Sequence, residues 1–254
     1  SVVKPRSRCP HCEKMIVWYD NIPLLSILLL GGKCRACKGR ISPRYFVVEL
    51  ITAILFLLVW LKWDYEISDR VIGLVPIASL WLVPIYWLFV FGMLLGTFVD
   101  LDHFIIPDRV SLGGIVLGIV LSAAVPELQG QVSRVQSLMH SAGAALLGSG
   151  LLWCVASIGS FVFRKPAMGM GDVKLLGAIG AFMGWRAVFF TVMVSSLIGS
   201  IVGISLVVAR KKEMQSRIPY GPFLAIAALI WMLWGMTIWN GWFNLLVPTD
   251  VYYQ

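Results

Sequence analysis

Long apolar stretches joined by short polar connections set the pattern of this chain. Runs at about 45–61, 77–99, 111–125, 137–163, 173–185, 187–209 and 222–240 predict seven helices. Several reach the length that a hydrocarbon core of about 30 Å demands, whereas the fifth is short for a full crossing. Strands of strict apolar–polar alternation, which a barrel would need, are absent. Pro76 and Pro84 predict a kink near the second helix, which lipid tolerates when neighbours satisfy the freed backbone groups. Small residues recur through 143–150 and 177–184, the spacing of close helix–helix contact. The expected class is an all-α polytopic membrane protein.

Composition agrees. Of 254 residues, 59% are hydrophobic and 13% charged, about half the charge of a soluble domain. The net charge of +8 would suggest nucleic acid in a soluble chain. Here the basic residues gather at the ends of apolar runs and interleave with no aromatic stripe, so the charge reads as orientation, with no nucleic-acid partner. With residues 1–44 placed in the cytoplasm and sides alternating from there, 17 of the 21 Lys and Arg fall inside and four outside, namely Lys62, Arg70, Arg134 and Arg186. The acidic loop 64–69 falls outside. A bilayer is therefore the first expected partner.

Residues 1–44 differ from the rest in being polar, basic and rich in Cys, Gly and Pro. Cys9-Pro-His-Cys12 and Cys34-Arg-Ala-Cys37 form two C-x2-C knuckles, each able to bring two thiolates to one ion. Two disulfides are the alternative, disfavoured in a reducing cytosol. A closed four-thiolate zinc site has no open coordination position, so its expected role is to fold the loop. Cys154, alone in an apolar helix, reads as a small buried hydrophobe.

The chemistry-bearing residues are carboxylates at the membrane edge. The stretch 97–109, TFVDLDHFIIPDR, carries Asp100, Asp102 and Asp108 where an apolar run ends, and Gly169-Met170-Gly171-Asp172 opens a later one. The alternating topology puts Asp100 and Asp172 at one depth on the cytoplasmic side. Charge there is costly and calls for a reason. Asp108, after Pro107, could cap the following helix, and Asp102 could be solvated. The glycines at 169 and 171 would let the backbone approach a neighbour closely. Two nearby carboxylates sharing a proton can divide labour, one activating water while the other polarises a scissile carbonyl. No Ser/His/Asp set or H-E-x-x-H helix competes, and His103 and His140 stand apart.

Taken together, CPHC, CRAC, ISPRYFVVELITAILF (41–56), TFVDLDHFIIPD (97–108), GMGDVKLLGAIGAFMGW (169–185) and IPYGPFLA (218–225) resemble the bacterial type IV prepilin peptidases, leader peptidase/N-methyltransferases of the GxGD aspartic class. The resemblance implies cleavage of the basic leader of prepilins and pseudopilins on the cytoplasmic side of the inner membrane. It implies N-methylation of the new terminus with S-adenosylmethionine, in service of a type IV pilus or type II secretion machinery. By the same resemblance Asp100 and Asp172 match the catalytic pair. Gly169, Gly171, Asp102, Asp108 and Lys174 are expected to support it, and Cys9, Cys12, Cys34 and Cys37 to hold structural Zn2+. Glu49 is a candidate for methyl transfer, with pairing to Arg44 as its alternative. Family members carry eight helices, so the resemblance implies a first helix ahead of this sequence. The implied division is a zinc-binding loop at 1–44 associated with methyl transfer, linking helices at 45–96 and a peptidase domain at 97–254. Two rivals differ in class: a transporter coupling ions through the aspartates, which would want acids near the bilayer midplane, and a non-catalytic zinc-bearing scaffold.

Overall fold

This computed structural model describes residues 8–22, 24–63, 81–165, 168–209 and 218–246. The acidic loop 64–69, Arg70, Pro76 and the basic stretch 210–217 lie outside them. Contacts divide the chain into two units, Ser1–Leu57 and Leu58–Gln254.

The first unit is built on two matching knuckles. In each, the amide of the first cysteine donates to a carbonyl five residues on, Cys9 to Lys14 at 3.0 Å and Cys34 to Gly39 at 2.9 Å. The residue after the second cysteine, Glu13 or Lys38, turns left-handed at φ 55° and 58°. It donates back to the first cysteine's carbonyl at 2.9 Å in both. Single antiparallel bridges, Arg8 to Met15 and Lys33 to Arg40, close the two loops. Between them lie a 3-10 turn, Trp18–Asn21, and a short helix α1, Leu25–Leu30. Arg35 grips Asp20 with two hydrogen bonds of 2.8 and 2.7 Å. The pair sits at the surface, where solvent screening leaves an ion pair little net worth. Helix α2, Pro43–Trp63, then begins.

In the second unit the helices are α3 (Leu82–His103), α4 (Asp108–Ala124), α5 (Arg134–Phe163), α6 (Met170–Val208), α7 (Gly221–Ile230) and α8 (Met236–Leu246). A 3-10 turn, Pro126–Gln129, precedes α5, and a π-helical turn, Trp231–Gly235, joins α7 to α8. Helix α6 is the hub, packing on α4, α5 and α7. Small residues make that contact possible. A Cβ on Gly118 would lie 2.7 Å from that of Ala181, and one on Gly148 would lie 2.7 Å from the Leu176 carbonyl oxygen. Gly177 and Gly180 face Ser149 and the Ala144 backbone in the same way. We expect Gly148→Leu to destabilise the bundle by about 3 kcal/mol or more, because the neighbour is backbone and cannot rotate aside. Thermal unfolding in detergent would show it, with Gly143→Leu, where nothing lies within 4 Å, as the neutral comparison.

Five described helices are long and apolar enough to cross a membrane: Pro43–Trp63, Leu82–His103, Arg134–Phe163, Met170–Val208 and the continuous segment Gly221–Trp242. The seven expected segments follow from these once two details are added. Helix α4, with 17 residues, is slightly short, and α6 changes direction at Gly184. There φ is 79° and ψ 178°, a conformation essentially reserved for glycine. A straight α6 would put Ser195 about 34 Å from Asp172. Instead the Ser195 hydroxyl lies 2.6 Å from that of Tyr220, next to a residue that touches Asp100. At the break three side chains reach the Ala181 carbonyl. Ser141 Oγ, Gln129 Nε2 and Ser122 Oγ donate to it at 2.7, 2.8 and 3.3 Å. In lipid no water could satisfy that group.

Two residues sit differently from the sequence expectation. Lys62, expected in an outer loop, inserts its ammonium among the carbonyls of the π-helical turn, donating to Met232 at 2.9 Å and to Leu233. A π turn misaligns the helical ladder and frees acceptors, so the charge there is a satisfied one. Cys154, expected to be buried, is exposed on α5 beside exposed Trp153 and Val155. In a bilayer the outside is apolar too, so hydrophobic character does not report burial.

Candidate active site

Asp100 and Asp172 line one open cavity of about 290 Å³ at one end of the second unit. Asp108, Lys174, Gly169 and Gly171 line it as well, with Phe104, Ile105, Ile106 and Met170. The two aspartates are almost fully buried, 5% and 8% exposed, and open into the same cavity.

Each is delivered by a helix end. Asp100 lies one turn from the C-terminus of α3, and its carbonyl receives the amide of Phe104 at 2.8 Å. Phe104 adopts the left-handed conformation, φ 58° and ψ 32°, and closes the helix. Asp172 is the third residue of α6, after an N-cap at Gly169. Its own amide donates to the Gly169 carbonyl at 3.2 Å, closing the first turn of the helix.

A backbone amide also holds Asp100. Gly221, first residue of α7, donates to Asp100 Oδ2 at 3.1 Å in a buried bond. Ile106 is wedged beneath the pair, 5% exposed, within 3.1 Å of where a Cβ on Gly171 would stand and 3.0 Å of one on Gly221. The expectation that a glycine here permits close approach therefore holds most sharply for Gly171. A Cβ on Gly169 would meet only ordinary contact, Asp172 Oδ2 at 3.4 Å.

Asp108 opens α4, and its Oδ1 accepts Lys174 Nζ at 2.7 Å, a half-exposed ion pair at the cavity wall. Asp102 is exposed and lies off the cavity, as are His103 and His140. The sequence reading missed Gly221 and Ile106 as site residues. The signals were available: a buried-type residue stranded in the polar turn IIPD, and a Gly-Pro step that opens a helix.

In the first unit, the sulfurs of Cys9, Cys12, Cys34 and Cys37 all lie within 4.8 Å of one another and all four thiols are free. A tetrahedron with Zn–S bonds of about 2.3 Å has edges of about 3.8 Å, and Cys9 Sγ lies 3.8 Å from Cys37 Sγ. Amides of Cys37 and Ala36 donate to Cys34 and pull its thiol down to about 6. Cys37 is pushed up to about 11, because burial and proton sharing with Cys12, Cys34 and Cys9 outweigh the Gly39 amide. His11 turns away from the cluster, its Nε2 lying 3.1 Å from the Arg40 carbonyl. Glu49 Oε2 accepts the amide of Leu24 at 2.9 Å.

Comparison with known proteins decides the family. Residues 1–63 match the Bacterial Peptidase A24 N-terminal domain, and residues 87–204 match the Type IV leader peptidase family. A relative from Aeromonas hydrophila, named prepilin leader peptidase/N-methyltransferase, is 36% identical over 94% of this chain and 74% of its own length. The chain belongs to the type IV leader peptidase family. Like-named relatives from Stutzerimonas stutzeri and Pseudomonas aeruginosa are each 35% identical, over 91% and 92% of this chain and 72% and 73% of their own. No solved structure matches. The family is one of aspartic peptidases, the class of chemistry that a buried aspartate pair can perform. Both aspartates and the cavity lie in the second unit, within the stretch matched to the leader peptidase family.

Proposed function

We propose that this leader peptidase family member removes the basic leader of prepilins or pseudopilins, with Asp100 and Asp172 as the catalytic pair. The observation that carries the reading is the meeting of these two aspartates, 72 positions apart, in one cavity at a helix-bundle end. In the mechanism, one carboxylate takes a proton from water as the water oxygen attacks the scissile carbonyl carbon. The other, protonated, donates to the carbonyl oxygen. Collapse of the tetrahedral species breaks the C–N bond, and the amine leaves with the proton gained by the base. Burial excludes bulk water and strengthens each of these interactions. The charge bias favours the cytoplasmic face of a bacterial inner membrane for this end of the bundle, where a leader could reach it while the substrate's apolar helix stays in lipid. Pilus or type II secretion assembly is the setting.

Cys9, Cys12, Cys34 and Cys37 would hold zinc, whose contribution is to fold the loop, since four thiolates leave it no site for substrate. N-methylation with S-adenosylmethionine as methyl donor is proposed on the relatives' names alone. The one residue considered for it, Glu49, is engaged with the Leu24 amide and reads as an acid holding the fold. Incubating the purified chain in detergent with a prepilin and S-adenosylmethionine, and reading product masses, tests both halves. Release of the leader supports the peptidase and a further gain of one methyl group the transferase. An intact substrate with wild-type protein would overturn the reading.

A further inference from the structure

We infer that Tyr220 and Gly221 are positioning residues for Asp100, fixing which carboxylate oxygen is free to exchange protons. The inference rests on the catalytic reading of Asp100 and assigns a role to the IPYGP segment, which the mechanism leaves unused.

Four observations carry it. Gly221 donates its amide to Asp100 Oδ2 at 3.1 Å, with the bond buried. As first residue of α7 its amide has no partner within the helix, and Pro222 behind it presets the helical φ, so the donor is spare and rigidly aimed. A side chain at 221 has no room: its Cβ would lie 2.7 Å from Oδ2 on one side and 3.0 Å from Ile106 Cδ1 on the other. Tyr220 is itself anchored, its hydroxyl 2.6 Å from Ser195 Oγ and 3.3 Å from Ser196 Oγ. Its carbonyl accepts the amides of Phe223 and Leu224 at 3.0 and 3.2 Å, which ties the anchor to the helix start.

The returning arm of α6 thus holds Tyr220, Tyr220 holds the start of α7, and that start holds Asp100. An oxygen already accepting an amide proton is the poorer place for a shuttled one, so Oδ1 is the atom that exchanges protons with water.

The test is prepilin cleavage by the full chain in detergent, with kcat, KM and the pH–rate profile measured for each variant. Gly221→Ala is expected to lose roughly 10²-fold in kcat, the scale of a displacement of about 1 Å at a reacting group, with KM little changed and the pH profile altered. Tyr220→Phe is expected to lose about three- to tenfold in kcat, the scale of one hydrogen bond. The double variant Tyr220→Phe/Ser195→Ala should be no slower than the slower single, because both remove the same link. Wild-type kcat in Gly221→Ala would overturn the inference. So would losses confined to KM or thermal stability with an unchanged pH profile. Should Gly221→Ala fail to fold, Tyr220→Phe, which removes one oxygen, decides by the same readings. Asp100→Asn separates the levels: full cleavage by that variant sinks the catalytic reading itself, whereas its inactivity beside a fully active Gly221→Ala sinks only the positioning role.

Discussion

Asp100→Asn and Asp172→Asn should each abolish leader cleavage, lowering kcat by roughly 10³-fold or more while leaving substrate binding and thermal stability near wild type. An asparagine keeps the size and the acceptor oxygen of aspartate, so Gly221 retains something to donate to, and the buried helix ends keep their shape. What is lost is the ability to take up or release a proton. General acid–base groups contribute about 10²–10⁴-fold each, and members of one proton-sharing pair act as a unit, so the double variant should be hardly slower than either single. Asp102→Asn is the internal comparison. That residue lies exposed and off the cavity, and its variant should cleave within a few-fold of wild type. A cleavage assay in detergent with a prepilin decides all four. Full cleavage by either asparagine variant would remove Asp100 and Asp172 from the mechanism.

Much of this site is legible in the sequence because membrane chemistry leaves few reasons for an acid at the end of an apolar helix. Asp100 and Asp172 announce themselves by cost, and alternation of helices brings them to one end without knowledge of packing. What escaped depends on backbone geometry that side-chain patterns do not encode. Gly184 reads as one more small residue in a small-residue helix, yet its φ of 79° reverses the chain and returns Ser195 to the neighbourhood of the site. Gly221 acts through its amide, a group every residue but proline possesses, so nothing in its identity marks it as a donor. Ile106 functions by filling space between glycines, which only the folded contact reveals. Lys62 looks like a loop charge because the π-helical turn that accepts it, Trp231–Gly235, has no sequence signature. Cys154 was misplaced for the reason that separates lipid from water as a solvent.

Removing the metal should unfold the first unit. Treatment with a strong chelator, or Cys34→Ser, is expected to make the stretch between the knuckles cleavable by trypsin at Lys33 or Arg35 and to eliminate methyl transfer. The loop 8–41 has little else to hold it together. Among its described residues Cys9 is the one buried apolar side chain, helix α1 has six residues, and the Arg35–Asp20 pair sits at the surface. A stretch that buries so little apolar surface cannot offset the entropy of ordering, roughly 1–2 kcal/mol per residue, without a cross-link. A structural zinc supplies about 10–16 kcal/mol of apparent binding energy at neutral pH, enough to change the sign. The matched geometry of the two knuckles, with left-handed Glu13 and Lys38 in equivalent places, aims four sulfurs at one point and has no other evident purpose. Metal analysis should return one zinc per chain in the wild type and none after Cys34→Ser. A protease-resistant loop in metal-free protein with four reduced thiols would show that the fold holds without the ion, and the zinc assignment would fall.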